Sequence, residues 1–173
     1  MNIFFIDESP FKSAEQLCDK HVVKMVLETA QMCSTALRKW HLTDLEKGRI
    51  TDCSDEFLNS IYKEAFPNHP MNVWVRKNSY NMNWAIQHGL QIGKEYKYRY
   101  GRDHKSTEIL ERIKAHYLSC PVTHEDYKMH TPPPQCMPDE FKCDNYIEAY
   151  REYYRKDKSH ILKWTNRSQP DWI

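Results

Sequence analysis

The stretch Leu17-Cys-Asp-Lys-His21-Val-Val-Lys24-Met-Val-Leu-Glu28-Thr-Ala-Gln31 decides how the rest of the chain is read. At 3.6 residues per turn, Val22, Val26, Cys33 and Leu37 make an apolar stripe, the mark of a helix laid against a core. His21, Lys24, Glu28 and Gln31 make a second stripe beside it. A face that meets only solvent is usually richer in long flexible charges, so this ordered set can be the floor of a polar site. On the plainer reading it belongs to an ordinary amphipathic helix, with a Lys24–Glu28 pair contributing about 0.3 kcal/mol.

Working outward, Ser13-x-x-Gln16 has the form of a capping box and opens a first long helix over about 14–40. Before it, Ile3 to Ile6 reads as a short strand or extended arm ended by Asp7-Glu-Ser-Pro10. Residues 42–55 are polar and loop-like, and Glu56 to Ala65 forms a short helix stopped before Pro67. Asn68-His-Pro70 makes a turn into a second long helix, about 71–98, closed by Gly101, with Trp74, Asn78, Asn81 and Ala85 on one face. A third helix covers about 106–117. The five prolines between Ser119 and Lys142 make an irregular loop. Asp144 caps a last helix to about Trp164, and the tail ending in Trp172 docks back onto the body. The reading is a mainly α protein: one domain over 1–173, a helical bundle with a short N-terminal strand and a Pro-rich loop. Val22, Val26, Leu37, Val73, Trp84 and Ile86 are its expected core.

A net charge of +1 argues against a strongly electrostatic nucleic-acid binder, but the charge is uneven. Residues 1–70 hold eight Lys/Arg against eleven Asp/Glu, which leaves +4 for the remainder. Many of the eleven tyrosines lie in the later half, beside basic residues, as in Tyr150-Arg-Glu-Tyr-Tyr-Arg-Lys156. Interleaved aromatic and basic side chains suit bases and phosphates, and they suit a plain helix boundary equally well. Arg151, Arg155 and Lys158 are the candidate anion contacts.

No run of eighteen apolar residues is present, so no membrane span is expected. The N-terminus lacks the basic region and cleavage site of a signal peptide, which points to the cytoplasm, or to a host's cytoplasm for a viral chain. Six cysteines at irregular spacings, without Cys-x-x-Cys, read as reduced thiols; no metal and no cofactor are expected. Gly-rich phosphate loops, dinucleotide fingerprints, His-Glu-x-x-His and Gly-x-Ser-x-Gly are absent from the sequence.

Leu17-Cys-Asp-Lys-His21, with Glu28 seven residues after the histidine and Arg38 further on, resembles the first helix of the phage pyrimidine-dimer DNA glycosylase/AP lyase family, known as endonuclease V. His69 before an aromatic-rich helix ending in Gly101 is a looser likeness. The chain also looks like phage proteins that share a Cys-Asp-Lys-His-Val-Val-Lys-Met helix. The resemblance implies an all-α fold and chemistry at the anomeric carbon of a nucleotide in DNA or free. An N-terminal amine attacks C1′ to form a Schiff base, and a helix carboxylate helps expel the base and moves protons in β-elimination. Glu28 takes the carboxylate role here, with His21 and Lys24 holding phosphate or orienting the sugar. Position 2 is Asn, before which Met is normally retained, so the amine is that of Met1. Gln31 stands where the family carries Arg. Gln31, Asn78 and Asn81 complete the expected substrate contacts.

Two other classes fit the same residues. One is a non-catalytic DNA-binding or inhibitory phage protein on the same scaffold. The other is an enzyme of different activity on a nucleotide or small phosphorylated metabolite.

Overall fold

Ile3, Phe4, Phe5 and Ile6 are all buried in a segment without regular secondary structure. Burying all four side chains requires cover on more than one side. The structure, a computed structural model, describes residues 1–46, 53–119 and 129–173. In it Phe4 stacks on His21 at 4.2 Å between ring centroids, and Phe5 stacks on Trp84 at 4.1 Å. The expected strand is not formed: among the described residues no segment pairs as a sheet. Helical surroundings offer no open edge, so backbone groups find side chains instead. Ser13 Oγ donates to the Phe4 carbonyl at 3.0 Å and Arg151 Nε to the Ile6 carbonyl at 3.0 Å.

The helices are α1 (Pro10–Gln16), α2 (Asp19–Glu46), α3 (Asp55–Asn59), α4 (Pro70–Val75), α5 (Ser79–Tyr100), α6 (Lys105–Ser119) and α7 (Tyr146–Lys156). Two of these pairs were expected as single helices. The first break falls at Leu17, whose ψ of 139° is extended. Its partners are distant in sequence. The Leu17 carbonyl accepts from Arg99, and Asp19 starts α2 while accepting from Thr165 and Arg99. Ser9, not Ser13, caps α1, with Pro10 at the first helical position. The second break separates α4 from α5, where Asn78 caps α5 by accepting from the Asn81 N–H at 2.9 Å. Gly101, at φ 67°, closes α5 as expected. Asn145 rather than Asp144 caps α7, which ends at Lys156, well short of Trp164, and α3 stops at Asn59 rather than Ala65. Residues 47–52 and 120–128 of the two expected loops lie outside the described residues.

Val22, Val26, Leu37, Trp84 and Ile86 are buried as expected, but Val73 is 43% exposed. The break after α4 resets the helical phase, turning Met71, Trp74 and Val75 inward and Val73 outward. α5 packs against α2 and α6 through Gly89. A Cβ there would lie 2.8 Å from both Leu110 Cδ1 and Thr29 Cγ2. Gly89→Ala should therefore cost about 1–3 kcal/mol through overpacking, read as a lower melting temperature. An unchanged melting temperature would mean that the three helices can separate freely.

The tail docks as expected. Trp164 Nε1 donates to the Gln16 carbonyl and Trp172 Nε1 to the Gln16 side chain, at 2.9 and 2.8 Å. Arg167 closes on Glu95, which also pairs with the buried Arg99.

Candidate active site

Following the buried N-terminal segment backwards from Ile3 leads to a clamp. Asn2 Nδ2 donates to the Cys136 carbonyl at 3.0 Å, and Asn2 Oδ1 lies 3.1 Å from the Tyr150 hydroxyl. Burial pushes the Tyr150 phenol well above its ordinary value, so it stays a protonated donor. The Asn2 backbone N–H donates to Glu28 Oε2 at 2.8 Å, and the Met1 amine stands 3.6 Å from the same oxygen. The Met1 thioether is seated against Asn72, whose Nδ2 lies 3.0 Å from Sδ. Glu28 is 8% exposed, and its other oxygen lies 3.3 Å from Lys24 Nζ. A buried carboxylate is stable when it is paired and hydrogen-bonded, and Glu28 has both forms of support.

Beside this clamp opens a cleft of about 780 Å³ lined by Met1, His69, Pro134, Cys136, Lys142 and Tyr153, among others. His69 caps α4, its Nδ1 accepting from the Met71 N–H, so the neutral ring carries its proton on Nε2. Burial lowers the His69 pKa, the Met1 ammonium lowers it further and Glu28 opposes both. The neutral ring keeps a donor in Nε2–H and, with Nδ1 engaged by the cap, has no open acceptor. Burial raises the Cys136 thiol, so this wall residue is no thiolate that could compete as a nucleophile.

The structure brings Glu28 and Met1 together and leaves Lys24 at the edge with its side chain 66% exposed. Gln31 is half-buried on the same helix, its carbonyl accepting from Thr35. His21 is elsewhere. It lies behind Phe4, its Nδ1 meets the Tyr154 hydroxyl, and burial, then Lys158 and Lys24, push its pKa down to about 3. The ring is neutral and packs as core. Asn78 and Asn81 are buried; Asn81 Nδ2 bonds the Trp74 carbonyl and Thr131 Oγ1, tying the Pro-rich loop to α5. Each late basic residue also has partners within the fold. Arg151 bonds the Ile6 carbonyl and pairs with Glu148, Arg155 bonds the Trp172 carbonyl and pairs with Glu152, and Lys158 pairs with Asp157. Asn72 and Cys136 were not singled out in the sequence, whereas Tyr150 was, within the late cluster of tyrosines and basic residues. For His69 the signal was the Asn68-His-Pro70 turn itself.

Among the described residues no three His, Cys, Asp or Glu side chains converge to hold a metal, and no helix is long and apolar enough to cross a membrane. Residues 1–108 match the model of a family described as pyrimidine dimer DNA glycosylase. No curated protein and no solved structure matches the chain. The matched region holds Met1, Glu28, His69 and Asn72, whereas Cys136, Lys142, Tyr150 and Tyr153 lie beyond it.

Proposed function

The chain belongs to the pyrimidine dimer DNA glycosylase family, and from that premise we propose that it excises a damaged base from DNA and then breaks the strand, with the Met1 amine as nucleophile and Glu28 as proton carrier. The observation that carries this reading is the approach of the amine to within 3.6 Å of a buried carboxylate. Amine and carboxylate come from opposite ends of a 26-residue separation between Asn2 and Glu28, and two contacts hold the first residues there. An α-amine suits the work because more of it is unprotonated at neutral pH than of a lysine amine.

In this scheme Glu28 takes one proton from the ammonium. The freed lone pair attacks C1′, and the base leaves with the glycosidic electron pair, receiving the proton that Glu28 holds. The nitrogen now bonded to C1′ gives up one of its protons as the C1′–O4′ bond opens and O4′ is protonated, leaving an iminium ion, the protonated Schiff base. Glu28, again a carboxylate, removes a proton from C2′, and the C3′–O bond breaks with the phosphate as leaving group. Neutral His69 stands at the cleft wall with Nδ1 engaged by the α4 cap, so that its Nε2–H serves as a hydrogen-bond donor. Lys24, exposed beside Glu28, meets a DNA phosphate in this scheme, with Gln31 two turns further on. His21 positions Phe4 and so the segment that delivers the amine.

Borohydride reduction during reaction with abasic duplex DNA should trap a covalent complex, and peptide mass mapping should place the adduct on the N-terminal peptide. Acetylating the amine should abolish trapping. Absence of any trapped complex with the unmodified protein would overturn the amine mechanism.

A further inference from the structure

Among the described residues, Phe66 is the large apolar residue that combines an exposed side chain with a positive φ. Its side chain is 73% exposed, and its φ of 46° lies in the left-handed region, which a bulky residue rarely enters. The next residue is Pro67, which biases the residue before it toward extended backbone and makes the conformation more unusual still. The surroundings hold it there. The His69 N–H donates to the Phe66 carbonyl at 3.0 Å, closing a turn over 66–69. Asn72 Nδ2, fully buried, donates to the Ala65 and Phe66 carbonyls, both at 2.9 Å. The Ala65 N–H donates to Thr35 Oγ1, and Arg76 donates to the Pro67 carbonyl. Strain of this kind persists where neighbours over-determine it, and it tends to mark a working residue. The place is informative as well. The turn that Phe66 opens ends at His69, a wall of the cleft, and the Asn72 nitrogen that grips the Phe66 carbonyl also touches the Met1 thioether. One buried amide thus ties the aromatic to the nucleophile.

We propose that Phe66 inserts into the DNA base stack beside the lesion and holds the helix open while the sugar reaches Met1. The proposal rests on the glycosylase reading above. An apolar wedge of this kind replaces base–base stacking with aromatic stacking, which lowers the cost of opening the duplex. A ring carried on an already held backbone does so without the cost of ordering a loop at the moment of binding, so that only the side-chain rotamer remains to be fixed. Core packing does not explain Phe66, since the ring lies outside the core.

The test compares duplex with single-stranded DNA, each carrying one abasic site, because a single strand needs no opening. Phe66→Ala should lower strand cleavage on the duplex tenfold or more, the size of one lost stacking contact, and leave the single strand within twofold. Phe66→Trp should restore duplex cleavage. Phe66→Gly, which accepts a positive φ, should raise the melting temperature by a few degrees while duplex cleavage falls, a combination that a merely structural residue would not give. In parallel, 2-aminopurine opposite the abasic site should brighten on binding wild-type protein and stay dim with Phe66→Ala. Equal losses on both substrates, or none, overturn the insertion role, as does unchanged 2-aminopurine fluorescence. Wild-type protein that cleaves neither substrate sinks the glycosylase reading instead, and the fluorescence comparison then decides insertion on its own.

Discussion

Glu28→Gln should lower turnover on lesion-containing DNA by about a hundredfold to ten-thousandfold, the usual contribution of a positioned proton carrier. Gln keeps the shape and an oxygen that can accept from the Asn2 N–H, now at 2.8 Å, so the N-terminal segment remains seated. It cannot take a proton from the amine or from C2′. Binding should be preserved or tightened, because a carboxylate facing phosphate repels it. That repulsion is itself an argument for catalysis, since a protein that only holds DNA gains nothing from a buried negative charge at its contact surface. The variant loses the partner of the Met1 amine and of Lys24, so a circular-dichroism melt belongs beside the kinetics. Wild-type turnover in a folded Glu28→Gln protein would remove the carboxylate from the mechanism. Loss of binding together with turnover would make Glu28 a structural anchor of the N-terminus.

Acidification from pH 7 to pH 5 should cost the fold roughly 4 kcal/mol through His21 and His88, about 2 kcal/mol each. Burial first, aided at His21 by Lys158 and Lys24, lowers both from the ordinary histidine value of 6.5 to about 3. As pH falls through 6.5 the unfolded chain binds two protons that the folded protein refuses until near pH 3. Their stabilisation is therefore complete above 6.5 and is lost progressively below it. Set against a usual total of about 5–15 kcal/mol, this is a large share. Further into acid, Asp19 adds a loss of the same sign. Burial alone would raise its carboxyl, but hydrogen bonds from Thr165 and Arg99 outweigh that and hold it below its ordinary value. Urea denaturation at the two pH values measures the effect. His88 offers a clean control: neither ring nitrogen has a partner among the described residues, and the ring stacks on Trp84. His88→Phe keeps the stack, removes one titration and should about halve the loss. An unreduced loss in that variant would exclude His88 as a source.

Residues 17–37 show how far a one-dimensional pattern reaches. Helical periodicity is a local property of the backbone, so the α2 stripes were legible: Val22, Val26 and Leu37 are core, and His21 and Glu28 share a face. The spacing that carried the family resemblance lies on the same helix, inside the matched region. The different fates of the two residues on that face depend on what covers them. Phe4 lies over His21 and makes it a neutral core ring, whereas Met1 and Asn2 lie over Glu28 and make it the partner of an amine. That cover comes from a segment read as a strand, whose burial on both sides depends on α2, α5 and α7 together. The helix breaks at Leu17 and before Asn78 have the same origin, with Arg99, Thr165 and Thr131 acting across 50 residues or more. Arg151 and Arg155 read as exposed anion contacts because sequence shows charge and spacing but not the Ile6 and Trp172 carbonyls that accept from them. The sequence by itself therefore determined the helical class and the core face of α2, which follow from short-range periodicity, while the choice of Glu28 as the site carboxylate rests on the family resemblance. Tertiary structure alone decided which polar groups are charged, where the helices stop and what meets Glu28, because desolvation and hydrogen-bond partners are set by neighbours far away in the chain.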